Sequence, residues 1–255
     1  MNSKKNLKPF IDIIVPNYNK GPFIRKCIKS IVHQSYKNWF LYIIDDASND
    51  DSTKFLKDFS GLTNINIIFL KKNKGPHFCR NLGLRKSKSD YISFLDSDDY
   101  WETSKLEEQI DFMKKNDFDF TYSDYISFFE GSKSKLIPTN IRDNFDYNSF
   151  VLNSSINSST MIIKRNVINF TKFKKIEHED YLFKCEILKK NVIAYKYNKQ
   201  LAYYRILKSS RSTNKIKSIL SLWKINKKFN KMSLFENIKS IFFISLNSLK
   251  KYGLK

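Results

Sequence analysis

The run FIDIIVPNYN, residues 10–19, decides the fold: an apolar, largely β-branched stretch broken only by Asp12 stops abruptly at Pro16, Asn17, Tyr18 and Asn19. The same pattern returns at FLYIIDDASND (40–50), INIIFLKKNKG (65–75) and YISFLDSDD (91–99). Short runs so poor in charge suit strands buried on both faces of a parallel sheet, over 10–15, 40–44, 65–70 and 91–95. Between the first two, Ile24, Cys27, Ile28, Ile31 and Val32 step by three and four, which predicts a helix with one face on that sheet. Residues 51–59 and 76–86 predict two more helices. Such alternation requires right-handed crossovers, and ligands of these sheets collect at the carboxyl ends of the strands. All four polar turns fall there.

Further along, the pattern predicts helices near 103–116 and 179–190 and strands near 118–129, 159–164, 192–197 and 201–206. These read as a second half that completes the sheet. From Lys215 to Lys255 ten Lys accompany one acid, Glu236, with Leu and Ile at helical spacing, as in basic amphipathic helices. The organisation expected is an α/β unit over 1–214, with halves at about 8–100 and 101–214, followed by a helical tail over 215–255. With 41% hydrophobic and 15% aromatic residues the chain can bury a core, which excludes disorder. Its 46 Lys and Arg against 25 Asp and Glu give +21 and favour anionic partners. Cys27, Cys79 and Cys185 are odd in number and widely spaced, so neither a disulfide framework nor a zinc site is expected. The N-terminus is basic without an apolar h-region, and no apolar run reaches the roughly 18 residues of a membrane span. A cytoplasmic protein is expected, soluble or peripheral on the inner face of the plasma membrane.

Asp96, Ser97, Asp98 and Asp99 crowd three carboxylates into four residues after an apolar strand. At about 5 Å and an effective dielectric near 20, each like-charge pair costs roughly 3 kcal/mol, so a positive partner is needed. Oxygen ligands on a short turn suit Mg²⁺ or Mn²⁺; a solvated turn or an N-cap for the next helix is the plainer alternative. Asp45 and Asp46 end another strand, where a carboxylate can accept from a base N–H or ribose hydroxyls, or simply cap the strand. Tyr18 offers an aromatic face to a base. Lys72, Lys74 and Arg80 around Gly75 could take a pyrophosphate or form an exposed loop. Neither GxGxxG nor GxxxxGK[ST] occurs, which removes the main support for a dehydrogenase or P-loop NTPase.

Taken in order, VPNYN (15–19), Ser30-Ile31 followed by Gln34-Ser35-Tyr36, IIDDASNDDS (43–52), NKGPHFCRNLGL (73–84) and YISFLDSDD (91–99) resemble family 2 glycosyltransferases of the GT-A fold. The resemblance implies a Rossmann-like, mostly parallel central sheet flanked by helices. It implies that Pro16, Tyr18 and Asp46 hold the nucleotide base; Asn19, Asp45, Lys74, Arg80 and Ser97 are expected around the donor as well. Asp96 would lie on the ribose or sugar side, and Asp98 would hold a metal, Mn²⁺ or Mg²⁺, that bridges the diphosphate. It also implies inversion at the anomeric carbon with a carboxylate base well downstream. His178-Glu179-Asp180-Tyr181 matches that position, with Asp180 as the base and Glu179 on the acceptor side. Tyr204, Arg205 and Ser209 to Ser212 resemble a late loop that closes over the diphosphate. Many relatives carry a His just after that Arg; here Ile206, Leu207 and Lys208 stand instead, so no C-terminal His ligand is expected. His33 and His77 read as structural or surface groups.

The function so implied is metal-dependent inverting transfer from a nucleoside diphosphate sugar, UDP above all, to a hydroxyl of a glycan or lipid-linked acceptor in surface polysaccharide or lipopolysaccharide synthesis. The basic tail would rest on an anionic membrane surface or pack on the body. A related nucleotidyltransferase is the alternative, and would consume nucleoside triphosphate. A nucleic-acid-binding protein is less favoured despite the charge, because Asp at the rim would repel phosphate, and no nucleic-acid partner is expected.

Overall fold

The computed structural model describes residues 9–129, 137–207 and 215–252. β1 (Ile11–Asn17), α1 (Gly21–Val32), β2 (Trp39–Asp45), α2 (Ser52–Lys57), β3 (Ile65–Phe69), α3 (Pro76–Lys86) and β4 (Tyr91–Phe94) alternate as the apolar runs require. The four strands pair in parallel in the spatial order β3-β2-β1-β4. Because β4 lies on the far side of β1, right-handed crossovers put α1 and α2 on one face and α3 on the other. Accordingly α1 packs on α2, and α3 on β1 and β2. α1 turns Ile24, Cys27, Ile28 and Ile31 into the core. The strand order reverses direction at β1, and the crevice between the ends of β1 and β4 is the binding position of such sheets.

The sheet continues through β9 (Ile162–Lys164), antiparallel to both neighbours, to β6 (Phe120–Phe129), β10 (Ala194–Ile206) and β5 (Tyr100–Trp101). β6 and β10 are parallel; short β7 (Ile137–Pro138) and β8 (Asn144–Phe145) pair antiparallel with β6 and β10. α4 (Lys105–Asn116) packs against β6, and α5 (Tyr147–Val151), a 3-10 turn at Ser158–Thr160, α6 (Arg165–Ile168) and α7 (Glu179–Leu188) fill the remaining connections. The two halves are thus joined by one sheet. The separate strands expected at 192–197 and 201–206 are a single strand, β10. Register shifts at Gln200 let its ladder with β6 absorb the polar stretch that reads as a turn.

α7 is seated by aromatic contacts on two sides. Phe183 stacks on Phe173 with ring centroids 4.0 Å apart, and both meet Phe94 of β4 edge-on. On the other side Tyr181 stacks on Phe150, which meets Phe145 edge-on. Truncation of buried rings like these costs about 3–5 kcal/mol, so the first turn of α7 is held firmly. The tail folds as α8 (Lys215–Lys228) and α9 (Leu234–Tyr252), with Leu222 and Ile225 reaching the core. No helix among the described residues is long and apolar enough to cross a membrane.

Candidate active site

Hydrogen bonds within the chain fix the turn after β2. Asp45 is buried; its Oδ2 accepts from Asn17 Nδ2 at 2.7 Å and from Ser48 Oγ at 2.7 Å, and its Oδ1 from the Ser48 amide at 3.0 Å. Asn17 and Asp45 are register partners at the last pair of the β1–β2 ladder. Asp45 therefore braces the two strand ends, with both its oxygens engaged inside the chain. Asp46, also buried, accepts from the amides of Lys74 at 2.7 Å and Gly75 at 2.7 Å and so draws the third polar turn to the second. Asn19 (φ 50°), Ala47 (φ 60°) and Gly75 (φ 86°) hold left-handed backbone in these three turns. For the first two this is a sparsely populated conformation, and such residues persist where the surroundings over-determine them. Asn19 Oδ1 accepts from the Asn49 amide at 2.9 Å, while Ser48 Oγ accepts from the Asn19 amide at 2.9 Å. Above this frame Pro16 is half-buried, Tyr18 is 46% exposed with its ring free to stack, and Lys74 is exposed, its ammonium 4.3 Å from the Phe78 ring.

The carboxylate turn after β4 divides its labour. Asp99 is buried, accepts from Ser159 Oγ at 2.6 Å and from the Arg205 amide at 2.9 Å, and ties the turn to the 3-10 turn and to β10. Burial, with Asp98 and Asp96 nearby, pushes its pKa well above the ordinary carboxylate range. Ser97 is buried beneath the turn. Asp96 and Asp98 face outward, each with a cation: Asp96 Oδ1 lies 2.6 Å from Arg80 Nη2, and Asp98 Oδ2 lies 2.7 Å from Lys20 Nζ. Arg205 donates from Nε to the Asp98 carbonyl at 2.9 Å and lies between the Phe23 and Phe128 rings. No carboxylate of the turn caps α4, whose N-cap is Ser104, so the plain capping alternative falls.

Arg80 joins this turn to the downstream acids. Buried in α3, it gives Nη2 to Asp96 and Nη1 to Glu179 Oε1 at 2.8 Å, across 99 residues of sequence. Burial alone would lower its pKa, but Asp96, Glu179 and Asp180 outweigh burial and raise it. Glu179 is buried, whereas the Asp180 side chain keeps 35% exposure. Asp180 Oδ2 accepts from Lys184 Nζ at 2.8 Å and from Ser158 Oγ at 3.4 Å. Burial pushes the Asp180 carboxyl up, yet Lys184, then Arg80 and His178, hold it well below the usual range, so it stays ionised. His178, at φ 57°, turns the chain into α7, and its Nε2 is buried without a hydrogen-bond partner among the described residues.

Lys20, Lys184 and the Ser158-Ser159 pair are site residues that sequence reasoning missed. The i,i+4 spacing of Asp180 and Lys184 on one helix is a signal that finds one of them; the others are brought in by tertiary folding alone. Ser209 to Ser212 and Lys208 lie outside the described residues. No group of three or more His, Cys, Asp or Glu among the described residues is arranged to hold an ion. Asp98, the outward carboxylate paired with Lys20, could serve as the single protein ligand of an ion whose remaining ligands are water and phosphate oxygens.

Residues 12–177 match the family described as Glycosyl transferase family 2. The chain is 34% identical over 247 residues to an uncharacterized glycosyltransferase of Haemophilus influenzae, covering 96% of this chain and 98% of the relative. It is 33% identical over 217 residues to the Escherichia coli UDP-Glc:alpha-D-GlcNAc-diphosphoundecaprenol beta-1,3-glucosyltransferase WfgD, covering 84% of each. Among solved structures it is similar to Staphylococcus aureus TarS 1–349 in complex with UDP-GlcNAc, with a TM-score of 0.73 at 17% identity over 94% of this chain and 73% of that one. The last likeness is one of fold.

Proposed function

On the premise that the chain belongs to glycosyl transferase family 2 and is a glycosyltransferase of the GT-A fold, we propose that it transfers a sugar from a UDP-sugar to a hydroxyl of a lipid-linked glycan in surface polysaccharide synthesis, with inversion. The observation that carries this reading is the Asp96–Arg80–Glu179 chain, which ties the donor-side turn to the acidic pair at the start of α7. The donor half spans about 8–100 and the acceptor half 101–214. The similarity to WfgD supports a UDP donor and a lipid diphosphate acceptor, and peripheral residence on the inner face of the plasma membrane belongs to the same reading.

The uracil would stack on Tyr18 beside Pro16, with Asp46 available once Lys74 and Gly75 yield their hold. Asn19 and Ser97 shape the walls and Asp45 braces them. Asp96 faces the ribose and sugar, and Arg205 and Lys74 the diphosphate. A divalent ion, Mg²⁺ or Mn²⁺, would be held by Asp98 in exchange for Lys20, and when bound it supplies positive charge to the diphosphate. Asp180 is the base: Lys184 and Ser158 fix Oδ2 and leave Oδ1 for the acceptor hydroxyl. As the acceptor oxygen bonds to the anomeric carbon, its proton passes to Asp180, and the C–O bond to the diphosphate breaks with both electrons on the leaving oxygen. Glu179, locked by Arg80, sets the position of Asp180. General-base assistance of this kind is worth about 10²–10⁴ in rate.

The test is radiolabelled transfer from UDP-glucose or UDP-GlcNAc to a GlcNAc-diphospholipid analogue. Asp180→Asn should lose about 10³-fold in kcat with donor affinity retained, and Asp98→Asn a comparable amount. Turnover near wild type in Asp180→Asn removes it as the base, and consumption of nucleoside triphosphate in place of UDP-sugar overturns the whole reading.

A further inference from the structure

One side of α9 packs inward: Ile241 and Ile244 lie against the core, and beside them Asn237 and Ser240 are buried, Ser240 Oγ donating to the Val151 carbonyl at 2.6 Å and accepting from Asn226 Nδ2 of α8 at 2.9 Å. Asn247 Nδ2 donates to the Leu152 carbonyl at 3.3 Å. Its other side leaves Leu234 (69%), Phe235 (76%), Ile238 (52%) and Phe242 (62%) exposed, and Leu249 continues the line. Positions 235, 238, 242 and 249 step by three, four and seven, so they form one helical stripe. Ile216, Ile219 and Leu220 of α8 are exposed as well. Single exposed apolar residues are ordinary; a continuous stripe marks a docking surface.

The charge around the stripe selects what covers it. Lys215, Lys217, Lys224, Lys227, Lys228, Lys231, Lys239 and Lys250 are exposed on the same helix pair and its connection. The lone acid, Glu236, is occupied by the Ser233 amide at 2.8 Å. A second copy of this chain would set these lysines against their like, and interface cores between proteins are depleted in Lys. Apolar residues flanked by Lys on a helix that does not span suit the headgroup boundary of an acidic bilayer. We propose that the outward face of α8 and α9 docks on an anionic membrane surface, the aromatic and aliphatic stripe entering the headgroup layer and the lysines meeting acidic headgroups. This rests on, and deepens, the reading in which a lipid carries the acceptor. The docked pair also holds the base in place: Ser221 Oγ donates to the Glu177 carbonyl at 3.3 Å, and Tyr181 Oη to Asn226 Oδ1 at 2.9 Å. The helix that carries Asp180 is therefore pinned directly to the membrane-facing element.

Flotation of the full chain with phosphatidylcholine vesicles, with and without phosphatidylglycerol, tests this. Recovery should be at least about tenfold higher on the anionic vesicles and should fall as salt is raised. Phe235→Ser/Phe242→Ser, at exposed positions, should lose that recovery by about tenfold while thermal unfolding and vesicle-free UDP-sugar hydrolysis stay as in wild type. Equal recovery on both vesicle types, none on either, or a double variant that floats like wild type overturns the proposal. So does a dimer in wild type that the double variant converts to monomer in sedimentation, which assigns the face to a second copy. Donor hydrolysis without vesicles reports separately on the proposed activity.

Discussion

Lys105 lies in the first turn of α4 with no exposure, its ammonium donating to Gln109 Oε1 at 3.1 Å and 4.3 Å from the Trp101 ring. Burial pushes its pKa down from 10.5 to about 7. The unfolded chain then binds more protons than the folded one between those values, so stability rises with pH across that window and is lost as pH falls toward 7. Lys105→Met keeps the stem and removes the ionisable group. Its melting temperature should exceed that of wild type by on the order of 5 °C at about pH 6.5, with the gain nearly gone by about pH 10.5; thermal unfolding at the two pH values checks it. The same side chain shows the limit of reading residues singly, since nothing in KLEEQ marks Lys105 as buried. Asp45 and Asp46 show it too: adjacent and identical in type, one locks strand ends and the other holds a loop, and only register and backbone direction separate them.

Gly83 of α3 faces Ile14 of β1 so closely that an added Cβ would lie 2.5 Å from Ile14 Cγ2 and 2.9 Å from Cγ1. Ala at this position would favour the helix by about 1 kcal/mol, but overpacking a sheet–helix contact costs about 1–3 kcal/mol and more where backbone must move. The clash wins: Gly83→Ala should lower stability by about 1–2 kcal/mol in urea unfolding, and combining it with Ile14→Ala should cost less than the sum of the two. At this scale the first half was legible, because β1 to β4 are buried runs and α1 carries a clean stripe. What stayed hidden depended on partners distant in sequence. β5, β7 and β8 are two residues each and exist only through pairing. β10 read as two strands because Asn198, Lys199 and Gln200 look like a turn until β6 supplies a ladder. The acidic pair of α7 was found through resemblance, while its link to Arg80 left no local trace.

One sheet runs through both halves of the molecule, and so does one guanidinium. Arg80 is shared between Asp96, on the proposed donor side, and Glu179, on the proposed acceptor side, so whatever alters its hold on one carboxylate is felt at the other. Two ligands biasing a shared element have linked binding free energies, and the linkage is symmetrical. UDP should therefore change the affinity for an acceptor analogue by the same factor as the analogue changes that for UDP, a factor of about 5–150 for couplings of ordinary size. Calorimetric titration of each ligand with and without the other measures it. In Arg80→Lys, which keeps the charge but cannot grip two carboxylates in a fixed fork, the factor should fall toward one. The ion chain is then more than a tether between halves: it makes the affinity for each proposed substrate depend on the presence of the other, by the same factor whichever binds first.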